Sequence, residues 1–145
     1  MNLISYVAGF MFDRVTKEVA LIRKKKPEWQ AGKLNAIGGK FEPGESLIAA
    51  MVREFKEETG CITTEHQWRH FSALISPTWC VHFFATFGDL YSLTSPEEEK
   101  IEIHEIATIT RRSDLIGNVP WLIALALDAM ESSGPSFVTA HYPAS

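Results

Sequence analysis

The chain has 145 residues, of which 46% are hydrophobic, 11% aromatic and 22% charged. That is the make-up of one packed domain over 1–145, able to bury roughly two thirds of its unfolded surface, and it excludes disordered and collagen-like chains. A net charge of -4, from 18 acids against 14 Lys and Arg, has the wrong sign for a protein held to duplex nucleic acid through its phosphates.

Cys61 and Cys80 form no CxxC or Cys/His spacing and are too few to staple a small secreted domain, which points to a reducing, cytoplasmic location. The apolar stretch Met1 to Phe12 has no basic n-region and meets Asp13 and Arg14 early, so it reads as a strand and not as a signal peptide. The other long apolar run, Val119 to Leu127, has nine residues against the roughly 20 that a membrane span needs. No membrane partner is expected.

Strands are predicted over 3–12 and 18–24, joined as a hairpin by the polar connection Asp13-Arg14-Val15-Thr16-Lys17. Pro27 to Gly44 holds two Pro and four Gly and reads as a long loop with a short strand at Leu34 to Ile37, a length usually associated with function. From Ser46 to Thr59 the apolar positions Leu47, Ile48, Met51, Val52 and Phe55 follow helical spacing, with Gly60 placed to terminate it. Extended segments follow at Gln67 to Ile75 and Trp79 to Phe87, broken by Ser76-Pro77-Thr78. Residues 88–100 form a polar loop leading to a half-buried strand, Ile101 to Ile106. A second helix is predicted from Pro120 through Ala129, stopping at Ser132-Ser133-Gly134-Pro135, with the last ten residues ambiguous. No repeat or linker divides the chain, and strands mixed with helices in this order suggest an α/β sandwich.

The chemistry concentrates between Gly38-Gly39 and Gly60-Cys61. At about 100° per residue, Glu57 lies roughly 60° to one side of Glu54 and Glu58 roughly 40° to the other, so three carboxylates share one narrow arc of the helix. Glu58 also falls between Leu47 and Met51 at the edge of the apolar stripe, where an unpaired carboxylate is costly. A cation belongs there. Clustered carboxylates beside a glycine turn suit a hard divalent ion that keeps positions for phosphate oxygens, and zinc fits them less well. Arg53 precedes Glu57 by four residues and can orient it, while Gly38-Gly39 permits close backbone approach. A solvated acidic face accounts for most arbitrary pairs of acids on a helix. The seven positions Gly39, Glu45, Arg53, Glu54, Glu57, Glu58 and Gly60, however, coincide by chance about once in 10⁸ starting points.

Gly39-x5-Glu45-x7-Arg53-Glu54-Phe55-x-Glu57-Glu58-x-Gly60-Cys61 resembles the complete box of the Nudix hydrolase superfamily. The resemblance implies an α/β Nudix fold, a mixed β-sheet sandwiched between α-helices. It also implies Mg²⁺-dependent hydrolysis of a nucleoside diphosphate linked to another group, with Mn²⁺ as the alternative ion. By the same resemblance Glu54 is metal ligand and general base, aided by Arg53, and Gly39, Glu57 and Glu58 complete the metal shell. Family members often add an acid from a later loop. Of Glu97, Glu98 and Glu99, spacing favours Glu98, with a solvated charge run as the plain alternative. Phe55 and Cys61 stand where the family usually has aliphatic residues; both are packing positions.

Upstream, Ala31 to Lys40 is similar to the loop of MutT-like oxidised-purine nucleoside triphosphatases. Carried over, Asn35 contacts the base and Trp29 stacks on it; Asn35 as a turn cap is the plain alternative. Arg23 and Lys25 point to one face of the second strand and Lys24 and Lys26 to the other, so one pair alone can reach phosphates, unless the run merely protects a sheet edge. Lys40, directly after the glycines, is the better phosphate candidate, and Gly38 lies beside it. The acidic pair that this branch commonly places before its second helix is absent, leaving Asn118 to bond a base. Ser76-Pro77 lies near a proline of the family's ADP-ribose pyrophosphatases. The expected function is therefore pyrophosphohydrolysis of a nucleoside triphosphate, a small-molecule nucleotide substrate, by a monomer or homodimer. The alternatives are an ADP-ribose, nucleotide-sugar or dinucleotide pyrophosphatase and, less favoured, a nucleotide-binding regulator without turnover.

Overall fold

The computed structural model describes residues 3–131 and 137–144. In chain order the elements are β1 (Ile4–Asp13), β2 (Glu18–Arg23), β3 (Leu34–Asn35), β4 (Ile37–Lys40), helix α1 (Leu47–Thr59), β5 (Arg69–Ile75), β6 (Trp79–Phe87), β7 (Lys100–Glu105), helix α2 (Val119–Glu131) and β8 (Val138–His141). Short 3-10 turns lie at Glu28–Gln30, Glu65–Gln67, Leu90–Ser92 and Ile106–Arg111.

Most expected elements stand where the sequence put them, and the differences have local causes. The short strand expected at 34–37 is two strands, because β3 bonds to β2 while β4 turns across to β1. Within the polar loop, Asp89 accepts a hydrogen bond from the Tyr91 amide at 3.0 Å and starts a 3-10 turn. Ile106 leaves the strand to begin the next such turn. Helix α2 opens at Val119, one residue early, so Pro120 occupies the second helical position, where its missing N–H is equally harmless. Its expected stop at Ser132-Ser133-Gly134-Pro135 lies outside the described residues.

All eight strands join one mixed sheet with the order β3-β2-β1-β6-β5-β8, β4 attached to β1 and β7 to β2. β1 is the organising strand. Its first half pairs antiparallel with β4, its end pairs antiparallel with β2, and its whole length runs parallel to β6. Alternation along β1 sends Phe10 and Phe12 to one face, under α2, and Val7 and Met11 to the other, under α1. Helices thus cover both faces of a mixed sheet, as expected of the fold. Among the described residues no helix is long and apolar enough to cross a membrane.

Helix α1 is fixed at both ends. The Ser46 hydroxyl accepts from the Ala49 amide at 3.2 Å, and Gly60, at φ 75°, returns its N–H to Lys56 O at 2.8 Å. The helix lies close to β1 because Gly9 has no side chain: a Cβ there would stand 2.8 Å from Trp68 and 2.9 Å from Met51 Sδ. Phe55 is fully buried and meets Trp68 edge-on with ring centroids 5.0 Å apart. The aromatic departure from the usual box residue is therefore filled by a matching aromatic on the segment before β5. Phe55→Ala should lower the unfolding free energy by about 3–5 kcal/mol, read from urea denaturation. A loss below about 1 kcal/mol would mean that Trp68 collapses into the vacated space.

Candidate active site

The C-terminal half of α1 lies against β4, and Gly39 makes that approach possible. A Cβ on Gly39 would fall 2.5 Å from Glu54 Oε2 and 2.6 Å from its carboxyl carbon, so the bare backbone of β4 is the surface on which the Glu54 carboxylate rests. Gly38 has a different reason: a Cβ there would collide with the Val7 carbonyl oxygen on β1. Lys40 follows with an exposed side chain, while its carbonyl accepts from Arg53 Nη2 at 3.0 Å.

Arg53 is the hub. Its Nε and Nη2 donate to the Glu45 carboxylate at 2.8 and 2.9 Å, a bidentate pair. Its Nη1 donates to Glu54 at 2.9 Å and to Glu57 at 3.2 Å, with Glu42 at 3.8 Å. The sequence pairing of Arg53 with Glu57 is present, but the stronger geometry is to Glu45, which ties the loop before α1 to the helix. These bonds hold Glu45 below the usual carboxylate range.

Glu54 receives a single one of these bonds and Glu58 none. Glu54 is buried at 8% exposure, and burial raises its pKa against the opposing pull of Arg53. Burial, reinforced by the charges of Glu54, Glu99 and Glu97, pushes Glu58 up to about 7, with Lys24 opposing. Glu58 Oε2 is buried and has no hydrogen-bond partner. Among the described residues no group of three or more His, Cys, Asp or Glu is gathered tightly enough to hold a metal ion as it stands. The donor set nevertheless fits a hard divalent cation, because α1 carries an orphaned carboxylate oxygen on Glu58 and, one turn before it, the desolvated Glu54 carboxylate resting on a bare glycine backbone.

Two candidates from sequence, Glu98 and Arg23, are engaged with other partners. Glu98 has a side chain 74% exposed and pairs at 3.5 Å with the exposed Lys25. Glu99 is the acid of the triplet that turns inward, at 12% exposure, accepting from Lys24 Nζ at 2.9 Å and from the Lys25 amide at 2.6 Å. Arg23 is likewise spent within the protein, donating to Glu102 at 2.7 Å through two nitrogens and to Asp114 at 2.8 Å and Gly32 O at 2.9 Å. Lys24, the residue after β2, is the positive charge that opposes the raised pKa of Glu58.

The remaining candidates lie on the turn after β2, on β3 and just before α2. Trp29 is 65% exposed on the turn Glu28–Gln30. Asn35 Nδ2 donates to Gln30 Oε1 at 3.0 Å, which ties β3 to the turn bearing Trp29, and Asn35 Oδ1 accepts from the Ala36 amide at 2.8 Å. Asn118 Oδ1 is buried without a hydrogen-bond partner. Its segment is pinned to β3, since Leu34 N donates to Asp114 O at 2.7 Å and Ile116 N to Leu34 O at 3.0 Å. Sequence reasoning did not single out Gln30, although it lies next to Trp29, and weighed Lys24 and Glu99 without choosing them. Ser76 makes the hairpin of β5 and β6, its hydroxyl accepting from the Thr78 and Trp79 amides at 3.2 and 3.0 Å, with Pro77 at the tip.

The family model described as NUDIX domain matches residues 3–121, and the chain belongs to that family, hydrolases of pyrophosphate bonds in nucleoside diphosphate derivatives that generally use divalent metal ions. Solved structures share the fold. One is MutT from a study of the Aliivibrio salmonicida and Vibrio cholerae proteins, at 24% identity and TM-score 0.72, covering 88% of this chain and 99% of that one. A Nudix hydrolase of Nitrosomonas europaea matches at 15% identity and TM-score 0.76, covering 99% and 81%. The Nudix domain of Shewanella oneidensis NrtR, crystallised with ADP ribose, matches at 13% identity and TM-score 0.75, covering 90% of each. No curated protein sequence matches the chain.

The raised Glu58 pKa has a definite sign. The folded chain keeps this proton up to about pH 7, whereas a carboxyl at its ordinary 4.5 has already released it. Without metal, Glu58 therefore lowers stability progressively as pH rises from about 4.5 to 7. Glu58→Gln should have the higher Tm in EDTA at pH 8 and should lose part of the Tm gain that Mg²⁺ gives the wild type. Equal Tm values in EDTA at pH 8 would show that water satisfies this carboxylate.

Proposed function

We propose that the protein is a Mg²⁺-dependent pyrophosphohydrolase that cleaves a purine nucleoside triphosphate, including oxidised or modified forms, to the monophosphate and pyrophosphate. The observation that carries this reading is the pair of desolvated carboxylates, Glu54, which rests on the bare Gly39 backbone, and Glu58, which feels the Glu54 charge. Glu54, Glu57, Glu58 and the Gly39 carbonyl would hold the ion, and Glu99 takes the place expected of Glu98. A divalent ion bound there neutralises phosphate oxygens and makes water more acidic.

The chain's own residues divide the remaining work. Glu54, buried and with a raised pKa, is suited to accept the proton of the attacking water. Arg53 holds the Glu54 and Glu57 carboxylates in place through bonds that Glu45 anchors. Lys24 and Lys40 supply positive charge for the phosphate chain. Trp29 offers an exposed aromatic plane for a base, and Asn35, held by Gln30, and Asn118, with its unused Oδ1, offer polar atoms to the base edge. The MutT neighbour is consistent with this choice, although the NrtR domain with its ADP ribose shares the fold equally well. The ADP-ribose alternative is weaker because its one sequence sign, Ser76-Pro77, is accounted for by the hairpin.

The test is a Mg²⁺-dependent turnover screen of canonical and 8-oxo nucleoside triphosphates beside ADP-ribose and dinucleoside polyphosphates. Monophosphate plus pyrophosphate from a purine triphosphate is the expected result, and preferred cleavage of ADP-ribose would replace it with the alternative. Glu54→Gln should lower kcat by roughly 10²–10⁴ with little change in Tm. Retained activity would remove Glu54 as the base.

A further inference from the structure

Five side chains outside the carboxylate cluster close a ring. Arg23 grips Glu102 through Nε and Nη2, both at 2.7 Å, and reaches Asp114 through Nη1 at 2.8 Å. Arg112 grips Asp114 through Nε and Nη2 at 2.9 and 2.8 Å. His104 joins the two halves, with Nε2 2.9 Å from Glu102 Oε1 and Nδ1 3.2 Å from Arg112 Nη1. These bonds hold Asp114 and Glu102 below the ordinary carboxylate range.

The chemistry of the two neighbours fixes the state of His104. A guanidinium only donates, so Nδ1 must accept; a carboxylate only accepts, so Nε2 must carry the hydrogen. The neutral ring in this one tautomer is the form that makes both bonds. The charged groups around His104 are Glu102 on its own strand, Arg112, and then Arg23 and Asp114, while Val19, opposite it on β2, is apolar and buried.

The ring is attached to the whole base side of the site. Arg23 Nη1 also holds Gly32 O at 2.9 Å, just beyond the turn that carries Trp29. The Asp114 carbonyl accepts from Leu34 N, next to Asn35, and Ile116, which bonds back to Leu34 O, leads into Asn118. Asn118 Oδ1, buried and unpartnered, is aimed by this segment.

We propose that the ring of Arg23, Glu102, His104, Arg112 and Asp114 positions the base-binding side, and that His104 is the positioning residue that joins its two halves. The proposal rests on the reading of Asn35 and Asn118 as base contacts. Without His104 Nδ1 to accept from its Nη1, Arg112 loses the contact that ties it to β7. Arg112 then releases, Asp114 loses one of its two guanidinium partners, and the 114–118 segment loosens from β3. Substrate binding weakens while the carboxylate chemistry on α1 is untouched.

The first readout needs no substrate and no variant: at pH 8 the ¹⁵N shifts of His104 should show a bare Nδ1 and a protonated Nε2, and the opposite tautomer overturns the proposal. Next, amide exchange of Leu34 and Ile116 is compared in the wild type, in His104→Phe, which keeps the ring shape but neither nitrogen, and in His104→Gln, which keeps a donor and an acceptor. Protection should fall by roughly tenfold in His104→Phe, the worth of one bond to a charged group, and should hold in His104→Gln. Unchanged protection in His104→Phe, or an equal fall in both variants, overturns the proposal. On the best substrate of the turnover screen, KM should rise by a similar factor in His104→Phe alone, with kcat little changed. Lost protection without a rise in KM overturns the positioning role, and Asn118→Ala then locates the fault. An unchanged KM in that variant indicts the base-side reading, and a raised one indicts the ring.

Discussion

The site depends on a shortage of positive charge. Arg53 brings one guanidinium to Glu42, Glu45, Glu54 and Glu57, and its bonds go chiefly to Glu45 and Glu54. Glu58, one turn beyond Glu54, is left with a buried oxygen that nothing in the chain satisfies. A protein built for stability alone would not keep this arrangement, because each desolvated carboxylate works against folding. It persists because the surrounding packing is secure: Gly9 lets α1 settle onto the sheet, Phe55 locks against Trp68, and the helix is capped at both ends. Strong packing in one layer holds an electrostatic debt in the next, ready for a cation.

The end of β2 distributes the work between two sides. Alternation sends Arg23 to the face shared with Asp114 and Glu102, where it ties loops together, and Lys24 to the face shared with Glu99 and Glu58. Adjacent residues of like charge thus serve opposite ends of the site. Exchanging a strongly paired arginine for a lysine would not be neutral at the first position, since a lysine cannot make the two-pronged bond to Glu102.

The carboxylate cluster was legible in the sequence because a helix converts spacing into geometry: Glu54, Glu57 and Glu58 need nothing beyond 3.6 residues per turn to share an arc. The same periodicity made α1 and both of its ends readable, and the matching apolar runs made most strands so. Where local period gives no direction, the sequence was silent. Glu98 and Glu99 differ by one position in an irregular loop, and their directions follow from the Lys25 and Lys26 amides that capture Glu99. The choice between Arg23 and Lys24 was posed by alternation, but which face held the site depended on tertiary pairing. The ring around His104 was invisible because its members are gathered from positions 23 to 114 by the pairing of β2 with β7. β8 was unreadable for a similar reason, since its partner strand is far away in the chain.

That distance has its own consequence for how the molecule assembles. β5 acquires its β6 neighbour through a tight hairpin, but its other edge is closed by β8, running parallel from Val138 beside Ser72, whose hydroxyl donates to the Val138 carbonyl at 2.7 Å across 66 positions. Contacts so remote in sequence form late, after the loop entropy of the intervening chain has been overcome. Until then a hydrophobic strand lies with one row of amides and carbonyls unpaired, the kind of edge on which another chain can pair. During synthesis this exposure lasts until β8 has emerged, and the edge then passes from the buried β5 to the short, half-exposed β8.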